Sequence, residues 1–287
     1  MFSVSDSSSS GIGTISLHDE TAGSRATIAP SRGALTTSFF ALGQEWLFLD
    51  QATFADPSQN VRGGVPVLFP SPGKLENDRY ARGSMKQHGF ARTSAFREVG
   101  RGSDSAAWVE LELVDSDSTR AQYPWRFSVR LRFSLRGAQL SLDAQVENRG
   151  SEPMPFALGY HPYFAVPVAD KARSRIPTRA TRAWDNVKKA NVDVASVDLA
   201  SGEVDLHLLD HGSPDASLET PTGTLTMRGP FSRWVIWTLP SRDFVCLEPW
   251  TAPGNALNSG EGLTMLAPGA TSHFGLTFTA SGVAAER

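Results

Sequence analysis

Cysteine is nearly absent from the chain: Cys246 is the only one in 287 residues, which excludes an internal disulfide framework and leaves too few thiolates for a structural zinc site. A reducing compartment is expected, and the cytoplasm fits. An excess of one charge is lacking too. Lys and Arg number 27 against 30 Asp and Glu, a net charge of -3, so there is no basic field to hold nucleic acid or an anionic membrane. A small, neutral or weakly charged ligand suits this balance better. No apolar run approaches the roughly 20 residues that a membrane-spanning helix needs. The opening MFSVSDSSSS has neither the basic start nor the apolar stretch of a secretory signal. Residues 1–10 are expected to form a disordered, solvated tail, with Ser3 to Ser10 mobile. A single domain is expected over 11–287, because all-β architectures of this length can form one unit; the sequence is silent on oligomeric state, and a monomer is the default expectation.

Amphipathic helical periodicity of useful length is missing, and no Gly-rich phosphate loop opens a helix. What the chain has instead is alternation. Trp125, Phe127, Val129, Leu131, Phe133 and Leu135 alternate with Arg126, Ser128, Arg130, Arg132, Ser134 and Arg136, the period of a strand with one wet face. After a turn at Gly137, Leu140, Leu142, Ala144 and Val146 repeat the pattern, which predicts a long antiparallel hairpin. Shorter strands are predicted at 106–114, 223–228, 233–239, 244–247 and 273–279. The polar stretch from Val168 to Gly202 reads as a long excursion. The fold class that follows is all-β, with two large antiparallel sheets packed on each other.

Three segments carry polar residues in constrained settings. The first runs from Arg62-Gly-Gly-Val-Pro through Lys74 to Gln87-His88-Gly-Phe-Ala-Arg92. Its paired glycines beside prolines suggest a backbone bent to admit a ligand, or a rigid turn beneath a strand. The second, Gly159-Tyr-His161-Pro-Tyr163-Phe164, sets an imidazole among aromatics, as a catalytic group or as a satisfied core histidine. The third ends an apolar strand in Glu248-Pro-Trp250, and a carboxylate there is seldom buried without a partner. Two imidazoles and a carboxylate can open a cyclic hemiacetal, one group taking the C1 hydroxyl proton while another protonates the ring oxygen. They could also hold a divalent ion. His207 and His211 stand apart in an acidic loop with Asp205 and Asp210, and no local spacing supports a metal site. Cys246 reads as a buried, inert thiol.

At these segments the sequence resembles the aldose 1-epimerase family, from about Gly33 to Phe278. The anchors are Gly64-Val-Pro-Val-Leu-Phe-Pro, His88-Gly-Phe-Ala-Arg, His161-Pro-Tyr-Phe, Glu248-Pro-Trp and Leu266-Ala-Pro-Gly. The resemblance implies a galactose mutarotase-like β-supersandwich whose open face binds a hexose, with no metal and no organic cofactor. Carried over by motif, Glu248 resembles the general base on the C1 hydroxyl, His161 the general acid on the ring oxygen, and His88 the histidine that holds that oxygen. Asp205 resembles a carboxylate that bonds sugar hydroxyls, while Lys74, Tyr163 and Trp250 belong to the expected sugar cleft. Arg62 and Arg92 resemble the phosphate-holding arginines of hexose-6-phosphate mutarotases, a use that guanidinium pairs suit; bracing ion pairs are their other use. Tyr160 stands where galactose-specific members usually carry asparagine. The expected activity is interconversion of hexose anomers. The alternatives are a hexose-6-phosphate mutarotase, a non-catalytic sugar-binding protein of the same fold, and a retaining glycosidase, which would need a second carboxyl roughly 5 to 5.5 Å away. Trp250 and Tyr163 should raise the Glu248 pKa and nearby arginines lower it, a balance the sequence leaves open.

Overall fold

The computed structural model describes residues 1–283, so the last four positions of the expected 11–287 domain lie outside the described residues. Period-two patterning becomes three large antiparallel sheets. A five-stranded sheet runs in chain order from Phe2–Ser9 to Gln44–Glu45. A seven-stranded sheet is ordered Asp215–Thr220, Gly223–Arg228, Thr271–Ser281, Gln139–Asn148, Phe127–Arg136, Ala107–Val114 and Arg97–Gly102. The third sheet is ordered Ala190–Asp193, Arg182–Asp185, Val204–Leu208, Arg233–Thr238, Phe244–Trp250, Gly159–Tyr160 and Val67–Leu68, with Tyr163–Ala165 also paired to Phe244–Trp250. This is the all-β supersandwich that the family resemblance implies, with three large sheets where alternation alone predicted two.

The predicted hairpin is the centre of the seven-stranded sheet. Phe127–Arg136 pairs with Gln139–Asn148 in the register Val129↔Val146, Leu131↔Ala144, Phe133↔Leu142 and Leu135↔Leu140. Gly137 closes the turn at φ +58°, a conformation that costs glycine little. Phe127, Val129, Leu131, Phe133 and Leu135 are wholly buried, each contributing on the order of 1.5–3 kcal/mol of apolar burial. Their polar neighbours stay on the wet face; Arg132, for example, stacks over Trp108 with its guanidinium carbon 3.8 Å from the ring centre. One contiguous core cluster takes Ile15 and Phe39 from the five-stranded sheet, Phe133 and Leu142 from the seven-stranded one, and Ile236 and Leu247 from the third.

Two expectations fail. Residues 1–10 are not a disordered tail: Phe2–Ser9 pairs residue by residue with Ile12–Asp19, from Phe2↔Asp19 to Ser9↔Ile12, across a Ser10-Gly11 turn with both φ positive. The serines that looked like a solvating tract bond across the sheet, Ser7 to Thr14 at 2.8 Å and to Ser16 at 3.3 Å, while Phe2 and Val4 pack on the core. The excursion from Val168 to Gly202 in turn contains Arg182–Asp185 and Ala190–Asp193, which extend the third sheet. Its basic residues hid these short strands. One of them, Lys171, is itself buried, donating to Thr238 Oγ1 and the Leu239 carbonyl, both at 2.6 Å. Among the described residues no helix is long and apolar enough to cross a membrane.

Candidate active site

Strand alternation builds the site. On the third sheet Leu206, Leu208, Trp234, Ile236, Val245 and Leu247 face the core. Their neighbours therefore face the other way, and Asp205, His207, Val235, Trp237, Glu248 and Trp250 line a cavity of about 670 Å³, within the usual size range of small-molecule sites. The pairings His207↔Val235 and Val235↔Glu248 set these side chains in a row across the sheet. The segment after Gly159 crosses the end of that row. His161 N–H donates to the Pro66 carbonyl at 3.0 Å and Tyr163 N–H to the Gly64 carbonyl at 2.9 Å, so backbone bonds fix both rings, which stack at 4.6 Å.

The paired glycines serve the chain rather than a ligand. A Cβ at Gly63 would lie 2.6 Å from the Leu49 backbone, and one at Gly64 would lie 2.3 Å from the Thr36 carbonyl oxygen. Both have positive φ, so the close approach they permit is of backbone to backbone. His88 is more unusual, a non-glycine residue at φ +70°, a strained conformation that persists where the surroundings dictate it. Here they do. His88 N–H donates to the Gly73 carbonyl at 2.8 Å, and Gly73 N–H donates back to His88 Nδ1 at 3.0 Å. Nδ1 thus accepts from the backbone, and Nε2 lies 3.2 Å from the Gln87 side-chain amide.

Glu248 is 2% exposed and His161 8%. Glu248 Oε1 lies 3.4 Å from His161 Nε2, and Glu248 Oε2 accepts from Trp250 Nε1 at 3.2 Å. Burial, followed by the charge of Asp205, pushes the Glu248 carboxyl well above the usual range, against the Trp250 hydrogen bond and Arg92. The balance left open by the sequence thus falls on the side of desolvation. Burial also pulls His161 down to about 3, with the Arg92 charge adding to it. His161 Nδ1 has no hydrogen-bond partner among the described residues. His88 is lowered mainly by burial, then by the charges of His161, Arg92 and His207.

Asp205 behaves oppositely. Burial pushes it up, but hydrogen bonds from His207 and Asn186 outweigh that and hold it below the usual carboxylate range. The Asn186 amide donates to Oδ2 at 2.7 Å, and His207 Nε2 lies 3.4 Å from Oδ1. Arg92 Nη2 donates to the Gln87 carbonyl at 2.7 Å, while its buried Nε is unpartnered. Among the described residues Arg62, Lys74 and Arg92 form no ion pair; Arg92 braces its loop only through the Gln87 carbonyl.

Arg62, Lys74, His88, Arg92, His161, Tyr163, Asp205, Glu248 and Trp250, the nine residues singled out from sequence, all line this one cavity. His207 joins them, contrary to its expected separation, because it is two residues along the strand from Asp205 and so on the same face. His211 does not. Its Nδ1 meets Thr178 Oγ1 and its Nε2 the Asp215 carbonyl, both at 2.8 Å, a structural role. Sequence reading missed Trp184, Asn186 and Trp237; only their alternation could have exposed them. Cys246 is fully buried, and burial first, then the Glu248 charge, pushes its thiol up. Among the described residues no cluster of three or more His, Cys, Asp or Glu side chains is spaced to hold a metal ion.

Comparison with known proteins gives the family and the fold. The family described as "Aldose 1-epimerase" matches residues 14–279. A curated relative from Cenchrus ciliaris, named "Putative glucose-6-phosphate 1-epimerase", is 30% identical over 157 residues, 51% of this chain and 45% of that protein. The chain thus aligns with less than half the length of that relative. The plasmid-encoded LacX protein of Lactococcus lactis subsp. lactis is 24% identical over 72% of this chain and 79% of its own. Among solved structures, the Slr1438 protein from Synechocystis sp. PCC 6803 superimposes with a TM-score of 0.91 at 32% identity, covering 94% of this chain and 96% of that one. A galactose mutarotase-like protein from Clostridium acetobutylicum shares the fold at a TM-score of 0.83 and 18% identity, over 98% and 99% of the two chains. With its family matched over residues 14–279 and a solved neighbour superimposing along nearly its whole length, the chain belongs to the aldose 1-epimerase family.

Proposed function

We propose that the protein is an isomerase that interconverts the α and β anomers of an aldohexose, with Glu248 and His161 as the proton-transfer pair. The observation that carries this reading is their apposition at 3.4 Å in a buried site, with neither spent on an arginine ion pair. Burial disfavours charge on both groups, so over the pH span between their shifted pKa values the pair holds one proton. With that proton on His161, the Glu248 carboxylate takes the C1 hydroxyl proton as His161 gives its own to the ring oxygen. The C1–O5 bond breaks, C1 becomes an aldehyde, and the pair ends as carboxylic acid and neutral imidazole, the form that burial favours. Rotation about C1–C2 and reversal of both transfers closes the other anomer. No electron moves and the enzyme is unchanged. His88, its Nδ1 held by the Gly73 N–H, lines the same cavity and is the second imidazole available to the ring oxygen.

A second reading concerns the substrate, a hexose 6-phosphate. Three cations lining the cavity, Arg62, Lys74 and Arg92, have no carboxylate partner among the described residues, and a phosphate dianion would supply one. The name of the Cenchrus ciliaris relative points the same way. Anomer-resolved proton NMR on freshly dissolved glucose, galactose and their 6-phosphates tests both readings. Acceleration with any of the four supports anomerisation, and a kcat/KM at least tenfold higher for a 6-phosphate supports the second reading. No acceleration at micromolar enzyme would end the first.

A further inference from the structure

The Glu248-Pro-Trp250 motif, the Gly73 turn and the Gly159 strand carry a feature that the proton-transfer scheme does not use. Glu248 and Trp250, two residues apart on one strand, face the same side, and Trp250 Nε1 donates to Glu248 Oε2 at 3.2 Å. Oε1 is left for His161. The indole is clamped. His88 meets it edge-on at 5.9 Å and 75°, and His207 meets it at 5.3 Å and 82°. Two glycines make room for it. A Cβ at Gly159 would lie 2.7 Å from Trp250 Cδ1, and one at Gly73 would lie 3.2 Å from its Cζ3. Trp250 is 3% exposed, so little of the ring face is open for a sugar to stack on.

From this cradle we infer that Trp250 is a positioning residue for Glu248: its indole N–H, locked by His88, His207, Gly73 and Gly159, orients the carboxyl so that Oε1 alone works on the substrate. The inference rests on the anomerisation reading above and gives Trp250 a role beyond lining the expected sugar cleft. The groups surrounding Glu248 are His161, Asp205, Arg92, Tyr163 and Cys246; of the groups that touch its carboxyl, Trp250 contributes a neutral donor. A neutral donor bonded to the ionised carboxylate favours that form, so its loss raises the carboxyl pKa further.

The test is the pH profile of anomer exchange for Trp250→Phe, which keeps an aromatic ring and removes the N–H. The expected result is a kcat roughly 10-fold to 100-fold lower, the range for losing one hydrogen bond to a charged group. KM should stay within about twofold and the alkaline limb of kcat should move to higher pH. If that variant fails to fold, β-(3-benzothienyl)alanine at position 250 retains both rings and exchanges N–H for sulfur, and the same outcome is expected. An unmoved alkaline limb, or a loss expressed wholly in KM, would overturn the inference. Wild-type protein that fails to exchange anomers would instead sink the underlying reading, so the two failures are distinguishable.

Discussion

Glu248→Gln changes one atom of the site and should pull activity and stability in opposite directions. The amide retains an oxygen to accept from Trp250 Nε1 and turns a donor toward His161, but it cannot take a proton from a sugar hydroxyl. Anomer exchange should fall by ~10²-fold to 10⁴-fold, the usual contribution of a positioned proton-transfer group. Stability should change with a definite sign. The folded-state pKa of Glu248 is raised by burial, so below its ordinary value of 4.5 both folded and unfolded chains hold the proton. Above 4.5 the unfolded chain releases it while the folded chain does not. Wild type therefore loses about 1.36 kcal/mol per pH unit from this one group until pH passes the folded pKa, a slope that the glutamine variant lacks. At about 2 °C per kcal/mol for a chain of this size, the variant's melting temperature should gain ~3 °C on wild type for each pH unit above 4.5, starting from near parity. Calorimetric scans of both proteins at half-unit steps from pH 4 to 8 measure the difference, in which all other titrating groups largely cancel. A gap that does not grow with pH, or a variant less stable throughout, would refute the account of Glu248 as a desolvated carboxyl. A variant that retains near-normal exchange would refute it as the base.

The opposite sign is expected at His161, whose folded pKa is lowered to about 3. Its contribution is present above 6.5 and lost as pH falls toward 3, so the melting temperature of His161→Gln relative to wild type should rise as the scan moves from pH 7 to 4. Replacing Arg92, which has no carboxylate partner, with Met should lower kcat/KM for a hexose 6-phosphate by at least tenfold more than for the free hexose, measured by coupled NMR rates; equal losses would argue against a phosphate contact. Phe133→Ala, at a wholly buried position of the central hairpin, should cost ~3–5 kcal/mol in urea unfolding. The double variant Phe2→Ser, Val4→Ser should cost ~1–3 kcal/mol if the first strand packs on the core, and nothing measurable if residues 1–10 were solvated.

How far the sequence reached is clearest residue by residue. Phe127 to Leu135 and Leu140 to Val146 announced their strands because alternation repeated long enough for one face to be unmistakably apolar. Phe2–Ser9 did not, since a serine-rich strand has no composition signal and takes its order from Ile12–Asp19, a partner that only pairing supplies. Arg182–Asp185 was hidden in the same way among basic residues, and with it Trp184 and Asn186.

The site divides along the same line. The sequence singled out His88, His161 and Glu248 as candidates, by residue types that suit proton transfer and by motifs that resemble the family's. Tertiary structure decided what those groups are. Strand register across His207, Val235 and Glu248 brought distant segments onto one face, with Asp205 two residues from His207 on the same strand, and burial set the Glu248 and His161 pKa values against their ordinary directions of charge. The reason is physical: residue identity is local, whereas desolvation and the distance between charges depend on everything packed around them.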